Sequence, residues 1–459
     1  MTRKMIFLMG MVVLLGIPFS AKAQQAFKPV TLEAKKSVTI QAEDYNKGGK
    51  GVGYQARQMK YKNPTGDKFP ILAWHGPHSP NDNTQRWIEM ANAGFNLAFS
   101  IMRAWGYTTT RTDNLLNNAH GTGVEQMMDV NLLFTKAAYK NHGDVSLWWL
   151  VDEPSISGLE QVLEKKNQTR SNDESRLMYY NLYPTYATGG TGVAQNNYEE
   201  GYVRPFAEKV GTGFLSWDHY PLEINPTTNQ ITLRNDFFKN LQIFSKIGRE
   251  TNQPLWAFVC SSEHLNYLVK DRTGTADVWW PMRFEMWSNL AYGAQCIQYF
   301  TYGRPQAADF RWCPLSNYGG EWRLEDIYYG VADLNRQLEI LTPVFLNAKV
   351  VNVGHIGKSK PTGTATFTKM PECVNHFEAA TGEPGFLVSH LKNGDDEYLM
   401  VVNHSISDTP QNFWVSWKSL PYTVTRIYAG SSALQREAVV NHYVVQRGDY
   451  LLFHWNINN

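Results

Sequence analysis

The sequence predicts an α/β protein, a (β/α)8 TIM barrel followed by a C-terminal antiparallel β-sandwich. Three observations carry that expectation: eight near-continuous apolar runs between residues 69 and 302, amphipathic stretches of helix length between them, and a change beyond residue 349 to short alternating runs. Unbroken apolar runs mark strands buried on both faces, as a parallel sheet requires. Eight strand-then-helix units in about 280 residues fit the usual size of such a barrel. A doubly wound open sheet is the rival, but no glycine-rich phosphate loop follows the first strand.

The eight strand runs are "FPILAW" (69–74), "FNLAFSIM" (95–102), "VEQMMDV" (124–130), "SLWWLV" (146–151), "RLMYYNLY" (176–183), "GFLSWDHY" (213–220), "PLWAFVC" (254–260) and "CIQYFTY" (296–302). Among the crossovers, 235–248 opens on Asn235 as a cap and sets Phe237, Leu241, Phe244 and Ile247 on one stripe. In the last crossover Leu324, Ile327, Val331, Leu334, Leu338 and Leu341 alternate in steps of three and four, and Pro343 ends the pattern. Beyond it, "GTATFTK", "GFLVSHLK", "EYLMVVNHS", "QNFWVSWK", "YTVTRIYAG" and "GDYLLFHW" read as sandwich strands, with turn clusters such as "NGDD" between them.

Upstream, Arg3 and Lys4 precede the apolar stretch "MIFLMGMVVLLGIPF" and then "AKA" at 21–23, which reads as a secretory signal with its cleavage site. The expected organisation is therefore a signal peptide at 1–23, an extension with one strand at 24–65, the barrel at 66–348 and the sandwich at 349–459. Export to the periplasm or medium follows from the signal, and no later stretch is long and apolar enough to span a bilayer.

The 43 Lys plus Arg nearly cancel the 42 Asp plus Glu, and no basic run interleaved with aromatics argues for a nucleic-acid partner. Aromatic residues make up 13%, with 15 Trp and 24 Tyr; rings with apolar faces and polar tips suit sugars as well as cores. Four cysteines in so long a chain are not a disulfide framework. Free buried thiols are expected, with a Cys260–Cys313 bridge as the alternative.

Reactive groups of a (β/α)8 barrel come from the C-terminal ends of its strands. Read that way, the mouth collects Trp74, His75 and His78 after strand 1, Arg103 and Trp105 after strand 2, and Asp129 with Asn131 at strand 3. Asp152 and Glu153 follow strand 4; Asn181 and Tyr183 end strand 5; Asp218, His219 and Tyr220 end strand 6. Glu263 and His264 follow strand 7, and Tyr299 and Tyr302 lie at strand 8. Carboxylates around an aromatic cleft are what glycosidic cleavage needs, one to protonate the departing oxygen and one to face the anomeric carbon. At the end of a buried strand, desolvation would keep Glu153 protonated as the acid. Strand alternation gives Asp152 the opposite direction, for orienting a neighbour or binding substrate. The bland reading is that this pair caps a following helix.

The succession "WWLVDEPS", "YYNLYPTY", "SWDHYPL", "PLWAFVCSSEH" and "MRFEMWSNLAYGAQCIQYFTYG" resembles the clan A glycoside hydrolases, in particular bacterial β-galactosidase-like barrel enzymes, over residues 66 to 350. The resemblance implies Glu153 as acid/base, Glu263 as nucleophile, and retention of anomeric configuration. Two features depart from the clan pattern. Asp152 stands where the clan has Asn, and Glu263 falls three residues past the strand; Asp218 is the substitute partner for Glu153, with inversion as the outcome across a wider gap. Candidate substrate-binding residues are Asp152, Trp74, His75, Arg103, Asp129, Asn181, Asp218, His219, Tyr220 and Tyr302. No metal-ligand spacing is present, and neither metal nor organic cofactor is expected. The expected activity is hydrolysis of an oligo- or polysaccharide. The alternatives are a non-catalytic carbohydrate-binding protein on the same scaffold, or a glycan-system component whose sandwich does the binding.

Overall fold

The computed structural model describes residues 59–458 except 79–81, 102–105, 306–308, 319, 382–383 and 420. The expected leader at 1–23 and most of the extension at 24–65 lie outside the described residues. Eight strands close into a barrel: β1 (Ile71–Trp74), β2 (Leu97–Ile101), β3 (Glu125–Asp129), β4 (Val145–Asp152), β5 (Leu177–Leu182), β6 (Leu215–Trp217), β7 (Leu255–Cys260) and β8 (Ala294–Phe300). Every neighbouring pair is parallel, including β8 with β1. Each strand lies on one of the eight apolar runs, because residues buried on both faces leave no polar alternation.

Large side chains fill the barrel interior. Trp74 meets Phe99 at 4.7 Å, Phe258 at 5.6 Å and Tyr179 at 5.7 Å between ring centroids, and Phe214 stacks on Trp256 at 4.2 Å. The crossovers are α1 (Thr84–Asn92), α2 (Thr109–Ala119), α3 (Val130–Thr135), α4 (Leu159–Asn172), α5 (Phe237–Thr251), α6 (Trp280–Ala291) and α7 (Asp326–Ile340). Between β5 and β6 the chain instead takes wide π-helical turns at Glu199–Val203 and Phe206–Val210. The stripe of α5 is buried as its periodicity predicts, but Asn235 is not its cap. Asp236 holds that position, and its carboxylate accepts from the Thr185 hydroxyl at 2.5 Å and lies 3.2 Å from His219 Nε2. Leu324 belongs to a short strand before α7 rather than to the helix.

The C-terminal strands are β9 (Lys349–Ile356), β10 (Val374–Ala379), β11 (Phe386–Asn393), β12 (Asp396–Asn403), β13 (Gln411–Trp417), β14 (Thr425–Ala429), β15 (Leu434–Ala438), β16 (His442–Val445) and β17 (Tyr450–Asn456). They form an antiparallel sheet of order β9-β11-β12-β17-β14-β15 and a second of order β10-β13-β16. The expected strand "GTATFTK" is absent; Thr366 makes only a single bridge to His355. Phe386, Val388, Phe413, Val415 and Phe453 form the core between the two sheets. The other face of the larger sheet, with Leu387, Met400, Val402 and Leu452, shares the barrel's own core. No helix among the described residues is long and apolar enough to cross a membrane.

Helix α6 is the hinge of this packing, since it lies between β7–β8 and the sandwich. It opens with Pro281 in its first turn, where a missing N–H costs nothing. Trp280, Phe284, Met286 and Trp287 are all buried on it, and Trp287 packs on Tyr450 at 4.2 Å. Beside it, Arg447 of the sandwich lies 4.2 Å over the Trp280 ring and pairs with Asp271 at 3.1 Å. Asp271 has no exposed side-chain surface. Burial would raise its pKa, yet donors from Thr273 and Trp280 together with the Arg447 charge bring it below the usual carboxylate value. Replacing Arg447 by Ala strips a buried carboxylate of its counter-charge and should cost about 3 kcal/mol in urea unfolding. The paired change Arg447→Ala with Asp271→Asn should recover part of that loss.

Candidate active site

The ends of β4, β5 and β6 lie side by side, with Asp152 opposite Asn181 and Asn181 opposite Ser216. Simple alternation would turn Asp152 and Glu153 to opposite sides, but two local features overrule it. A bulge between Trp149 and Val151 shifts the phase of β4, so that Asp152 comes level with Asn181. Glu153 then takes a left-handed conformation, φ 45°, with its N–H donating to Asn181 O at 2.9 Å. Left-handed backbone disfavours a side chain with a Cβ and costs on the order of 1 kcal/mol. Its neighbours hold it there. The buried Tyr202 hydroxyl donates to Pro154 O at 2.8 Å and accepts from Tyr183 N–H at 3.1 Å, tying the loop after β4 to the end of β5. His75, directly after β1, is likewise left-handed at φ 52°, so two strand ends at this mouth carry strained residues.

As a result, three carboxyl groups meet. Asp218 and Asp152 both raise Glu153 through their charges, Glu153 and Asp218 also influence each other through hydrogen bonding, and the Asp218 charge raises Asp152. Asn181 Nδ2 donates to Asp218 Oδ1 at 2.7 Å, and the same amide restrains the rise of the neighbouring Asp152. The orientation of Asn181 is fixed from below. Gln298 Nε2 donates to Ser216 Oγ at 2.9 Å, and Ser216 Oγ lies 2.9 Å from Asn181 Oδ1 and 2.9 Å from the Tyr179 hydroxyl. Tyr179 in turn donates to Gln298 Oε1 at 2.9 Å.

This crowding sets the protonation states. Burial, then the Asp218 and Asp152 charges, push Glu153 up to about 9. Asp218 is raised to about 6 by burial, held back by donors from Asn181 and Tyr220 and by its bond with Glu153. Asp152 rises to about 7, through dense surrounding protein and then the Asp218 charge. The residue nonetheless keeps solvent-exposed surface. Near neutral pH the Glu153–Asp218 pair therefore holds one proton, mainly on Glu153.

The remaining expected residues divide sharply. Tyr183 faces the cluster, its pKa raised by burial and by all three acids, and its ring rests against Gly190, where a Cβ would come within 2.5 Å. Tyr220 reaches Asp218 and stacks on Phe300 at 5.5 Å. His75 lies at the rim 6.2 Å from the Phe300 ring, and burial then the nearby His78 lower its pKa to about 3, leaving it neutral. Trp74, expected as a stacking platform, is 3% exposed and belongs to the barrel core. Asp129 caps α3, accepting from Asn131 N at 2.9 Å and Asn131 Nδ2 at 2.8 Å. His219 points outward onto Asp236 and the Tyr186 and Phe237 rings. Tyr302 is fully buried against Phe95, and the charges felt by its hydroxyl are those of Glu89 and Arg86 outside the barrel. Arg103 and Trp105 lie outside the described residues.

Glu263 does not join Glu153. After β7 the chain leaves the barrel wall: Ser261 Oγ donates to Thr301 O and Ser262 Oγ to Phe300 O. Glu263 then pairs across a separate short ladder with Trp312. Its carboxylate binds Arg272 at 2.7 Å, and its pKa is raised by burial and by Asp326 against the charges of Arg272, Arg311 and Lys270, with no influence from Glu153 among these causes. The carboxylate facing Glu153 is Asp218. All four cysteines are free and buried. Among the described residues, no group of three or more His, Cys, Asp or Glu is placed to hold a metal ion.

By sequence the chain matches no family model and no curated protein. By structure it is similar to a protein titled "Glycoside hydrolase" (TM-score 0.51, 10% identity, 88% of this chain and 96% of that one). A glycoside hydrolase family 5 protein from Bacteroides vulgatus ATCC 8482 is alike at TM-score 0.51 and 12% identity, covering 88% and 93%. The β-galactosidase from Bacillus circulans sp. alkalophilus follows at TM-score 0.50 and 8% identity, covering 84% and 99%. These likenesses establish the shared fold over nearly whole chains.

Asp218 ionises at about 6 in the folded chain against about 4 for an ordinary carboxylate. Its charge therefore opposes folding as pH rises above 4, fully so above 6. Asp218→Asn should raise stability by about 1 kcal/mol in thermal melts at pH 8 and by less at pH 4.

Proposed function

We propose that the chain is an exported glycoside hydrolase that cleaves an oligo- or polysaccharide with retention, using Glu153 as proton donor and Asp218 as the second carboxylate. The observation that carries this reading is the placement of Glu153 and Asp218 at neighbouring strand ends of one barrel mouth, near enough for the Asp218 charge to help raise Glu153. An inverting pair is held about 6.5–9.5 Å apart to admit a water, and a retaining pair about 5–5.5 Å. The strong influence of the Asp218 charge on Glu153 fits the shorter spacing better, which supports retention.

In this scheme the sugar enters between the two groups and replaces their mutual hydrogen bond. Glu153 gives its proton to the departing glycosidic oxygen while an Asp218 oxygen bonds to the anomeric carbon, forming a glycosyl ester. Glu153, now a carboxylate, takes a proton from water as that water's oxygen displaces Asp218. Donors from Asn181 and Tyr220 keep Asp218 oriented when Glu153 turns to substrate. Asp152 is open to solvent and suited to sugar hydroxyls, and the Tyr183 ring offers a stacking face. Export rests on the Arg3–Lys4, apolar stretch and Ala-Lys-Ala succession.

A second reading, a carbohydrate-binding protein without turnover, is favoured by one observation: the end of β7 sends no carboxylate toward Glu153. A screen of glycans for release of reducing ends separates the two. Under the hydrolase reading Glu153→Gln lowers kcat by about 10²–10⁴-fold with binding retained. Asp218→Asn should do likewise, whereas Glu263→Gln should stay within about threefold of wild type, since general acid–base loss is what the larger factor measures. Activity should fall below about pH 6, where Asp218 becomes protonated, and above about pH 9, where Glu153 loses its proton. Unchanged turnover in Glu153→Gln would refute the assignment, and binding with no hydrolysis of any glycan would establish the second reading.

A further inference from the structure

We propose that the outer face of the three-stranded sheet β10-β13-β16 is a separate glycan-binding surface, centred on Trp414, for a neutral chain of pyranose rings. This inference does not depend on the assignment of Glu153 and Asp218.

The layers of the molecule leave this face open. The barrel packs on one side of the larger sheet, the smaller sheet covers the other side, and the inward residues of the smaller sheet, Phe413, Val415 and Tyr443, fill the core between them. Strand alternation then turns Trp414 away from that core and away from the barrel. Trp414 is 45% exposed, and among the described residues it is the one exposed tryptophan. Every other described Trp is packed against protein, so an open indole here is out of keeping with how this chain uses the residue.

Its surroundings point to a sugar rather than a protein. Opposite Trp414 on β16 stands His442, whose ring stacks beside the indole at 4.9 Å between centroids and 27° between planes. The two rings make a flat aromatic strip across neighbouring strands. Opposite Trp414 on the other side stands Glu378, with His376 Nε2 3.3 Å from its carboxylate. Asn412 and Ser416, two positions before and after Trp414 on β13, project to the same face. Asn375 Nδ2 donates to Ser416 Oγ at 3.2 Å. None of these side chains is Lys or Arg, and the single carboxylate has a histidine beside it. The face thus combines a ring-sized apolar platform with a border of uncharged or balanced donors and acceptors. A pyranose presents the complementary pattern, C–H groups on its faces and hydroxyls around its edge. A protein partner would call for a wider apolar patch than one indole with Val440 and Val444 near it, and a charged polymer would call for cations, which none of the side chains named around Trp414 supplies.

The test uses the full chain in native gels cast with soluble neutral polysaccharides (xylan, mixed-linkage β-glucan, galactan and mannan), with titration calorimetry on whichever retards it. Variants are Trp414→Ala, Glu153→Gln and the two together, each checked by thermal melting. The expected result is retardation of wild type and Glu153→Gln alike by at least one of these polymers. Trp414→Ala should weaken that binding at least tenfold with an unchanged melting temperature. Two outcomes would overturn the proposal: Trp414→Ala binding as well as wild type, or none of the four polymers retarding wild type. A concentration-dependent dimer that Trp414→Ala abolishes, without glycan retardation, would assign the face to self-association instead. Failure of Glu153→Gln to affect hydrolysis would count against the barrel assignment and leave this result untouched.

Discussion

One shared proton allows three carboxyl groups to gather at the end of β4 and β6. Three full charges so close together would repel one another, and water reaches Asp152 more readily than Glu153 or Asp218. With Glu153 protonated, the pair carries a single charge, and Glu153 turns from a repelling group into a hydrogen-bond donor. The surrounding structure is arranged to keep that state. The bulge in β4 and the left-handed Glu153 bring the acids together; Tyr202 fixes the loop; the thread from Gln298 through Ser216 to Asn181 presents an amide to the remaining charge. Removing the proton would leave each of these devices holding like charges together.

The fold was legible because it is written in burial. Each barrel strand is covered on both faces, and the resulting apolar runs admit few other readings. What escaped notice were elements without that signature. Strands β10, β15 and β16 are short, "VNHFEA", "LQREA" and "HYVV", with half or more of their residues exposed. The crossover before β6 uses wide turns instead of a regular amphipathic helix, and Tyr202 lies within it. The candidate site was legible in part. Glu153, Asp152, Asn181 and Asp218 sit at strand ends, where barrel geometry directs attention. Glu263 was misplaced because its neighbourhood depends on where β7 stops, and the chain turns out of the wall two residues earlier. Trp74 and Tyr302 lie in the core and not at the mouth, and sequence position along a strand does not reveal which layer of the interior, or which side of the wall, an aromatic ring occupies. Ser216 follows alternation from Asp218, yet a lone serine in an apolar run carries no signal of the network it completes.

The chain separates its chemistry by surroundings. At the barrel mouth, carboxyl groups are crowded so that their protonation departs from the ordinary, which is what acid–base chemistry requires. At the outer sheet, side chains are open and balanced in charge, as recognition without reaction requires. The larger sheet between them has neither property. It is apolar on both faces, one packed on the barrel and the other on the smaller sheet.

Helix α6 carries a consequence for the order in which the molecule can be assembled. One of its sides is covered by β7 and β8, and the other by residues as late as Tyr450. A chain emerging from its N-terminus therefore completes all eight barrel strands while this helix still shows Trp287 and its neighbours to water. The sandwich side of this helix is covered chiefly by β11 and β12, made about 90 to 100 residues after β8. Until those strands exist its apolar face has no cover from the C-terminal side, and the polypeptide remains open to whatever handles unfolded chains.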